Sequence, residues 1–304
     1  MESSKFDLIT ILGPTASGKT ALAVALAKFL DTEIISADSR QVYRDMDIGT
    51  GKDLEEYGAV PYHLIDILNA GDIYGVGQFQ KDFNQAFKEI KELGKIPVLC
   101  GGTGLYIQAV LQNFAHTYIP RDPNLRDSLI SKNSTELLTI FNGLPQSKSF
   151  LADTSTHKRL IRAIEIAKWL ENNEMADEPS APPKSIIFGI ELELGKRRKN
   201  ISERLRERFD KGLVNEVQQL LENGISEDML IFYGLEYKII TQHLQGHFSL
   251  TECFNRLEIA IHQFAKRQMT YFRKMEKDGL QIHWIKEDTL NERMEFIKCN
   301  LADS

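Results

Sequence analysis

Residues 13–20 read Gly-Pro-Thr-Ala-Ser-Gly-Lys-Thr, a full match to the G-x-x-x-x-G-K-[ST] phosphate-cradling loop. The apolar run before it, 8–12, reads as a buried strand, and the Ala/Leu-rich run 21–30 reads as a helix. This strand–loop–helix context is what the motif needs. Backbone N–H groups and the positive end of the helix dipole converge on an anion. Lys19 adds a point charge, and the Thr20 hydroxyl can hold Mg²⁺. Gly13, Pro14, Thr15, Ala16, Ser17, Gly18, Lys19 and Thr20 are therefore candidate ligands of a diphosphate or polyphosphate, with ATP as the default occupant of such a loop. A chance glycine-rich turn is the alternative.

Further short apolar runs at 33–37, 96–100, 185–190 and 281–285 extend the strand pattern, each of the first two ending in a polar or glycine-rich turn. An amphipathic helix is expected over 77–93, with Phe79, Phe83, Phe87 and Ile90 on one face. The polar helical pattern of 134–141 and 157–170 lies in a span without clear strands, closed by the Pro-rich stretch 178–183. Two long helices are expected, one over about 200–222 with Gly212 as a weak point, and one from 251 to about 277 with Phe254, Leu257, Ile261 and Phe264 inward. The predicted fold class is α/β: a P-loop NTPase-like parallel sheet core flanked by helices, made of 1–113 and 184–304, with a mostly helical insertion at 114–183.

The chain has 304 residues, 42% of them hydrophobic, enough for a substantial core. A net charge of −6 gives no global signature of nucleic-acid binding, so any such surface must be a local basic patch. Three scattered cysteines, Cys100, Cys253 and Cys299, suit a reducing cytosol and imply neither a disulfide framework nor a zinc site. Residues 1–5 lead into the first strand without a signal-type segment, and no apolar run spans a bilayer. The expectation is a cytoplasmic protein without a membrane partner, acting as a monomer.

Asp38, in Ser36-Ala37-Asp38-Ser39-Arg40-Gln41, follows the second strand, where it would face whatever the phosphate carries. A carboxylate there can take a proton from a nucleophile or bind Mg²⁺; capping of a following helix by Asp38 or Ser39 is the alternative. The strand at 96–100 runs into Gly101-Gly102-Thr103 with no closing acid, unlike nucleotide hydrolases that hold Mg²⁺ through a Walker B carboxylate. The glycines allow a ligand close to the backbone and Thr103 supplies a hydroxyl; a plain tight turn fits equally. Basic groupings occur at Lys158-Arg159-Leu160-Ile161-Arg162, Lys196-Arg197-Arg198-Lys199, Arg204 and Arg208, Lys266-Arg267 and Arg273-Lys274. Each alone reads as a solvated helix face, but several after one phosphate loop on an acidic chain favour a polyanionic partner, either nucleic acid or a diphosphate held by two arginines.

The stretches 13–20, 34–43, 46–50, 61–66, 101–106, 159–165 and 265–273 together, and in this order, resemble the tRNA dimethylallyltransferase family. The resemblance implies transfer of a dimethylallyl group from dimethylallyl diphosphate to N6 of the adenosine 3′ of certain anticodons, on a base flipped from its stack. It implies that Asp38 is the base, with Thr103 beside the reacting atoms. On the same resemblance, the loop, Arg204 and Mg²⁺ at Thr20 are expected to hold the diphosphate. It further implies that Asp38, Ser39, Arg40, Gln41, Thr103, Arg126 and Lys158–Arg162 occupy positions where the family touches the anticodon stem-loop of tRNA. Two segments depart from the family pattern: Tyr233-Gly234-Leu235-Glu236-Tyr237-Lys238 replaces a Gly-Tyr-Lys-Glu segment, and His262-Gln263-Phe264 stands where Arg-Gln-Tyr is common. The insertion also looks short. A small-molecule or nucleoside kinase, an adenine-nucleotide prenyltransferase and a non-enzymatic ATP-binding switch share parts of this pattern. The basic clusters argue against the first two, and the acid-free turn argues against the third.

Overall fold

The computed structural model describes residues 5–148, 150, 152–175 and 181–303. Residues 1–4 and the 178–180 part of the Pro-rich stretch lie outside them. The chain forms two compact units, one of residues 1–112 and 182–304 and one of 113–181.

The larger unit begins with β1 (Leu8–Leu12), α1 (Lys19–Leu30), β2 (Ile34–Ser36), β3 (Tyr62–His63), α2 (Val76–Glu92), β4 (Val98–Gly101) and α3 (Gly104–Leu111). In the smaller unit lie α4 (Pro123–Ile130), α5 (Ser134–Gly143) and α6 (His157–Asn172). The larger unit then resumes with β5 (Ser185–Ile190), α7 (Leu194–Asp210), α8 (Leu213–Glu222), α9 (Glu227–Tyr233), α10 (Leu235–Leu244), α11 (Leu250–Lys277), β6 (His283–Ile285) and α12 (Leu290–Asp303).

All six strands form one parallel sheet in the order β3-β2-β4-β1-β5-β6. Because side chains alternate along a strand, β1 feeds two cores. Leu8 and Leu12 enter the core with α2, α3, α7, α8, α10 and α11, whereas Ile9 and Ile11 enter the one with α1 and α12. A sheet buried on both faces explains why β1 and β5 read as near-continuous apolar runs. The carboxyl ends of β1, β2 and β4 lie side by side and lead into residues 13–18, 37–41 and 102–103, which is where open α/β sheets bind ligands.

Three sequence expectations change. The expected helix over 200–222 is two helices: it starts at Leu194 and breaks at Gly212, whose φ of +96° only glycine adopts cheaply. On α11 the buried seam runs through Cys253, Leu257, Ile261, Ala265, Gln268, Phe272 and Met275, leaving Phe264 at the surface. The short edge strand β3 is an addition, too brief to show a period. The phenylalanine face of α2 is as expected, with Phe79, Phe83 and Ile90 fully buried.

The smaller unit packs Leu129, Leu137, Phe141, Leu160, Ile161, Ile164 and Ala167 into its own core. Thr156 caps α6 by accepting the Arg159 N–H, and an Asn133–Glu136 capping box starts α5. No helix among the described residues is long and apolar enough to cross a membrane.

Candidate active site

The loop after β1 turns twice through the left-handed region, at Ala16 (φ +58°) and Gly18 (φ +79°), and the second turn starts α1 at Lys19. A Cβ on Gly13 would lie 2.7 Å from Ser17 Oγ, so glycine makes room for that hydroxyl. Ser17 Oγ is buried and has no hydrogen-bond partner among the described residues. A buried unpaired hydroxyl is costly, and a phosphate oxygen entering the loop would satisfy it. Pro14 is buried, and Thr15 and Thr20 are half-exposed at the mouth. The Thr15 N–H donates to Gln268 Oε1 at 2.9 Å, while Gln268 Nε2 donates to the Gly102 carbonyl at 2.9 Å. Gln268 thus ties this loop to the turn after β4.

Positive charge gathers here. Burial pulls the Lys19 ammonium below its ordinary pKa; Cys100 and Asp38 oppose that, and Arg204 and Arg208 reinforce it. Burial also pushes the Cys100 thiol up to about 12, which makes it unreactive. Arg204 donates to the Gly51 carbonyl at 3.1 Å and pairs with Asp53. Arg208, nearly buried, reaches the Gly49 carbonyl at 3.4 Å and Glu236 at 3.3 Å. Both arginines approach residues 49–53 because Gly51 has no side chain: a Cβ there would lie 1.9 Å from one Arg208 Nη and 2.6 Å from an Arg204 Nη. The loop is stapled in turn by Glu216, whose carboxylate accepts the N–H groups of Asp47, Ile48 and Gly49 at 2.6–2.9 Å and the Tyr237 hydroxyl at 2.9 Å.

Asp38 sits beside this cluster. Its Oδ1 accepts the Arg40 N–H at 2.9 Å in an Asx turn, so it caps that turn and not a helix, since none follows β2 directly. The Ser39 N–H donates to Thr103 Oγ1 at 3.0 Å, and the Thr103 N–H to the Ala37 carbonyl at 3.2 Å. A Cβ on Gly101 would strike the Ala37 carbonyl oxygen at 2.3 Å, so the two turns come this close only with glycine there. Gln41 Nε2 donates to the Gly51 carbonyl at 3.1 Å, linking the Asp38 turn to the arginine-bearing loop. Arg40 lies over the Phe232 and Tyr233 rings, 5.8 and 6.0 Å from their centroids, and Phe232 is about half exposed.

The expected contact residues of the helical unit are placed differently. Arg126 forks onto Glu165 at 2.7 and 2.8 Å, and Arg162 donates to the carbonyls of His116, Pro120 and Ile119 and to Glu165. Glu165 is buried and needs these cations, so Arg126 and Arg162 are internal ties and not free phosphate grips. Leu160 and Ile161 are core side chains. Only Lys158 and Arg159 are exposed, and Arg159 pairs with Asp153 at 2.9 Å. In the larger unit Arg273 and Lys274 are likewise engaged, with Glu191, Glu276 and Asp278, whereas Lys266 and Arg267 face solvent. Sequence reasoning missed Gln268, Glu216 and the 49–53 loop. Gln268 and residues 46–50 lie inside stretches that carry the family resemblance, but nothing in the sequence shows what they touch.

No group of three or more His, Cys, Asp or Glu able to hold a metal occurs among the described residues. The donors present at the loop, a threonine hydroxyl on the first turn of α1 and whatever phosphate enters, suit an Mg²⁺ that arrives with its phosphate.

A parallel sheet with a phosphate-loop motif after its first strand, three cations gathered near it and no acid closing the neighbouring strand defines a P-loop-like α/β fold. The IPP transferase family model matches residues 41–275, and an isopentenyl transferase model matches 6–58. A tRNA dimethylallyltransferase of Phocaeicola vulgatus is 52% identical over 288 residues, covering 92% of each chain, and one of Bacteroides fragilis is 47% identical over the full length of both. A tRNA isopentenylpyrophosphate transferase from Bacillus halodurans superposes with a TM-score of 0.72 at 33% identity, covering 98% of each chain. The chain belongs to the IPP transferase family of enzymes.

Proposed function

We propose that the protein transfers the dimethylallyl group of dimethylallyl diphosphate to N6 of the adenosine 3′ of the anticodon in a subset of tRNAs, releasing diphosphate. The observation that carries this reading is the meeting of a phosphate loop and three cations with the Asp38–Ser39–Thr103 turn, in a chain whose relatives bear this activity in their names. The loop amides, the Ser17 hydroxyl, Lys19 and Arg204 receive the diphosphate. Ile201, Leu205 and Ile261 are buried apolar neighbours of Arg204, Arg208 and Thr15.

In the transfer, the bond from the allylic carbon to the bridging oxygen breaks and its electron pair stays on the diphosphate. The N6 lone pair forms the new carbon–nitrogen bond, and the N6 proton passes to Asp38. Holding Asp38 Oδ1 on the Arg40 N–H aims the carboxylate and leaves Oδ2 for this proton. Charge growing on the leaving group meets groups already oriented, which is where such a site lowers the barrier. Mg²⁺ held by Thr20 and the phosphate oxygens would add further positive charge there. Asp38–Gln41, Thr103, Lys158 and Arg159 are the residues we assign to the tRNA side, and the enzyme works as a cytoplasmic monomer.

The test supplies labelled dimethylallyl diphosphate with unmodified tRNA, AMP and ATP as rival acceptors. Label in tRNA alone is expected. Label on AMP or ATP would instead make this a free-nucleotide prenyltransferase, and γ-phosphate transfer from ATP would make it a kinase.

A further inference from the structure

Arg293, on α12, is 6% exposed, yet among the described residues it forms no ion pair with a carboxylate. Its Nε donates to the Glu287 carbonyl at 2.9 Å, and one Nη donates to the Ser17 carbonyl at 3.0 Å. The same Nη would lie 3.2 Å from a Cβ on Gly18. Asp288 and Glu287 are the nearby acids that favour its charge, and Asp288 is shared with Lys196 at 2.5 Å. A buried guanidinium held by two carbonyls, one of them in the phosphate loop, is an unusual use of a charge that gains more from a carboxylate.

We infer that Arg293 is a positioning residue for diphosphate binding, fixing the Ser17–Gly18 peptide from behind so that its N–H faces the ligand. In a trans peptide the carbonyl and the N–H of the next residue point in opposite directions. Arg293 holds the Ser17 carbonyl on the buried side, against α12, while Gly18 is exposed. The Gly18 N–H therefore faces the open side, where the anion enters. Glycine in the left-handed region rotates freely, so without this tie the peptide could flip and present an oxygen to the diphosphate. Gln268 fixes the other end of the loop through Thr15, so the loop is held at both ends by residues from the last forty of the chain. The guanidinium also sets a full positive charge behind the loop without touching the substrate.

This inference rests only on the loop's binding a diphosphate, and its probe is inorganic diphosphate, which reports on the loop whatever the acceptor. The full-length wild type is compared with Arg293→Gln and Arg293→Lys by calorimetric titration, by KM for each substrate and by hydrogen exchange at the Gly18 amide. Arg293→Gln is expected to weaken diphosphate binding about tenfold, to raise the KM for dimethylallyl diphosphate alike and to leave the KM for tRNA within about twofold. It should also speed exchange at Gly18. Arg293→Lys keeps a charged donor that reaches one carbonyl only, so it should recover most of the affinity. A folded Arg293→Gln that binds diphosphate like the wild type would overturn the inference; should that variant not fold, faster Gly18 exchange in Arg293→Lys with diphosphate affinity unchanged from the wild type would do so. Absence of prenyl transfer by the wild type would instead count against the tRNA reading and leave the diphosphate titration standing.

Discussion

Replacing Gly51 with alanine tests the arginine arrangement directly. The new Cβ would lie 1.9 Å from an Arg208 Nη, against an ordinary contact of 3.4 Å or more, so that group must retreat by about 1.5 Å. Arg208 is nearly buried against Glu236, and burial already works to raise the Glu236 pKa, with Arg208 the chief opposing group. Drawing the guanidinium away strands that carboxylate, a loss of about 3–5 kcal/mol for a broken buried pair. Alanine at φ +60° adds about 1–2 kcal/mol. Together these lower the melting temperature on the order of 10 °C. Arg204, 2.6 Å from the same Cβ, is displaced too, so the KM for dimethylallyl diphosphate should rise at least about tenfold. Gly58→Ala is the control. It carries the same backbone strain (φ +55°), with nothing nearer its Cβ than Lys28 Nζ at 4.0 Å, so it should lose only about 1–2 kcal/mol and keep its KM. Equal melting temperatures and equal KM values for the two variants would refute the placement of Arg204 and Arg208 against this loop.

Other perturbations separate the remaining roles. Asp38→Asn should keep tRNA affinity in a filter-binding assay while turnover drops about a hundredfold or more; equal turnover would remove Asp38 as the base. Gln268→Leu leaves the Thr15 N–H and the Gly102 carbonyl unpaired and should raise the KM for dimethylallyl diphosphate more than the KM for tRNA. Glu165 governs acid stability of the helical unit. Burial acts to raise its pKa, but the hydrogen bonds from Arg126 and the Asp122 N–H and the nearby arginines hold it below the usual carboxylate value. Its contribution is therefore complete above about pH 4.3 and is lost as pH falls through the lower folded value. Thermal melts between neutral and acid pH should show this loss in the wild type, and a smaller pH dependence in a Glu165→Gln variant already destabilised at neutral pH.

Much of the core was legible because its signals are local. The phosphate loop is contiguous, and strands buried on both faces read as apolar runs with recognisable glycine and polar ends. The break at Gly212 was visible as a weak point but not as a break, since one glycine is tolerated in many helices and only its φ decides. The two-residue strand β3 carries no period to read. Arg159 and Arg162 looked like one basic face three residues apart, yet Arg162 turns in toward Glu165 and three carbonyls while Arg159 stays in solvent. A sequence shows the charge but not the buried partner that claims it. The same holds for Gln268 and Arg293, whose partners in the phosphate loop are more than 250 residues away.

The central claim is that residues 13–20 hold an isoprenoid diphosphate and not ATP. It is tested most directly by equilibrium binding of an unreactive thio analogue of dimethylallyl diphosphate, with Mg²⁺ present and ATP or inorganic diphosphate as competitor. The analogue should bind, be displaced by inorganic diphosphate, lose affinity in Lys19→Met, and resist ATP at least about tenfold better than it resists diphosphate. Displacement by ATP at lower concentrations than diphosphate, or binding unaffected by Lys19→Met, would contradict it.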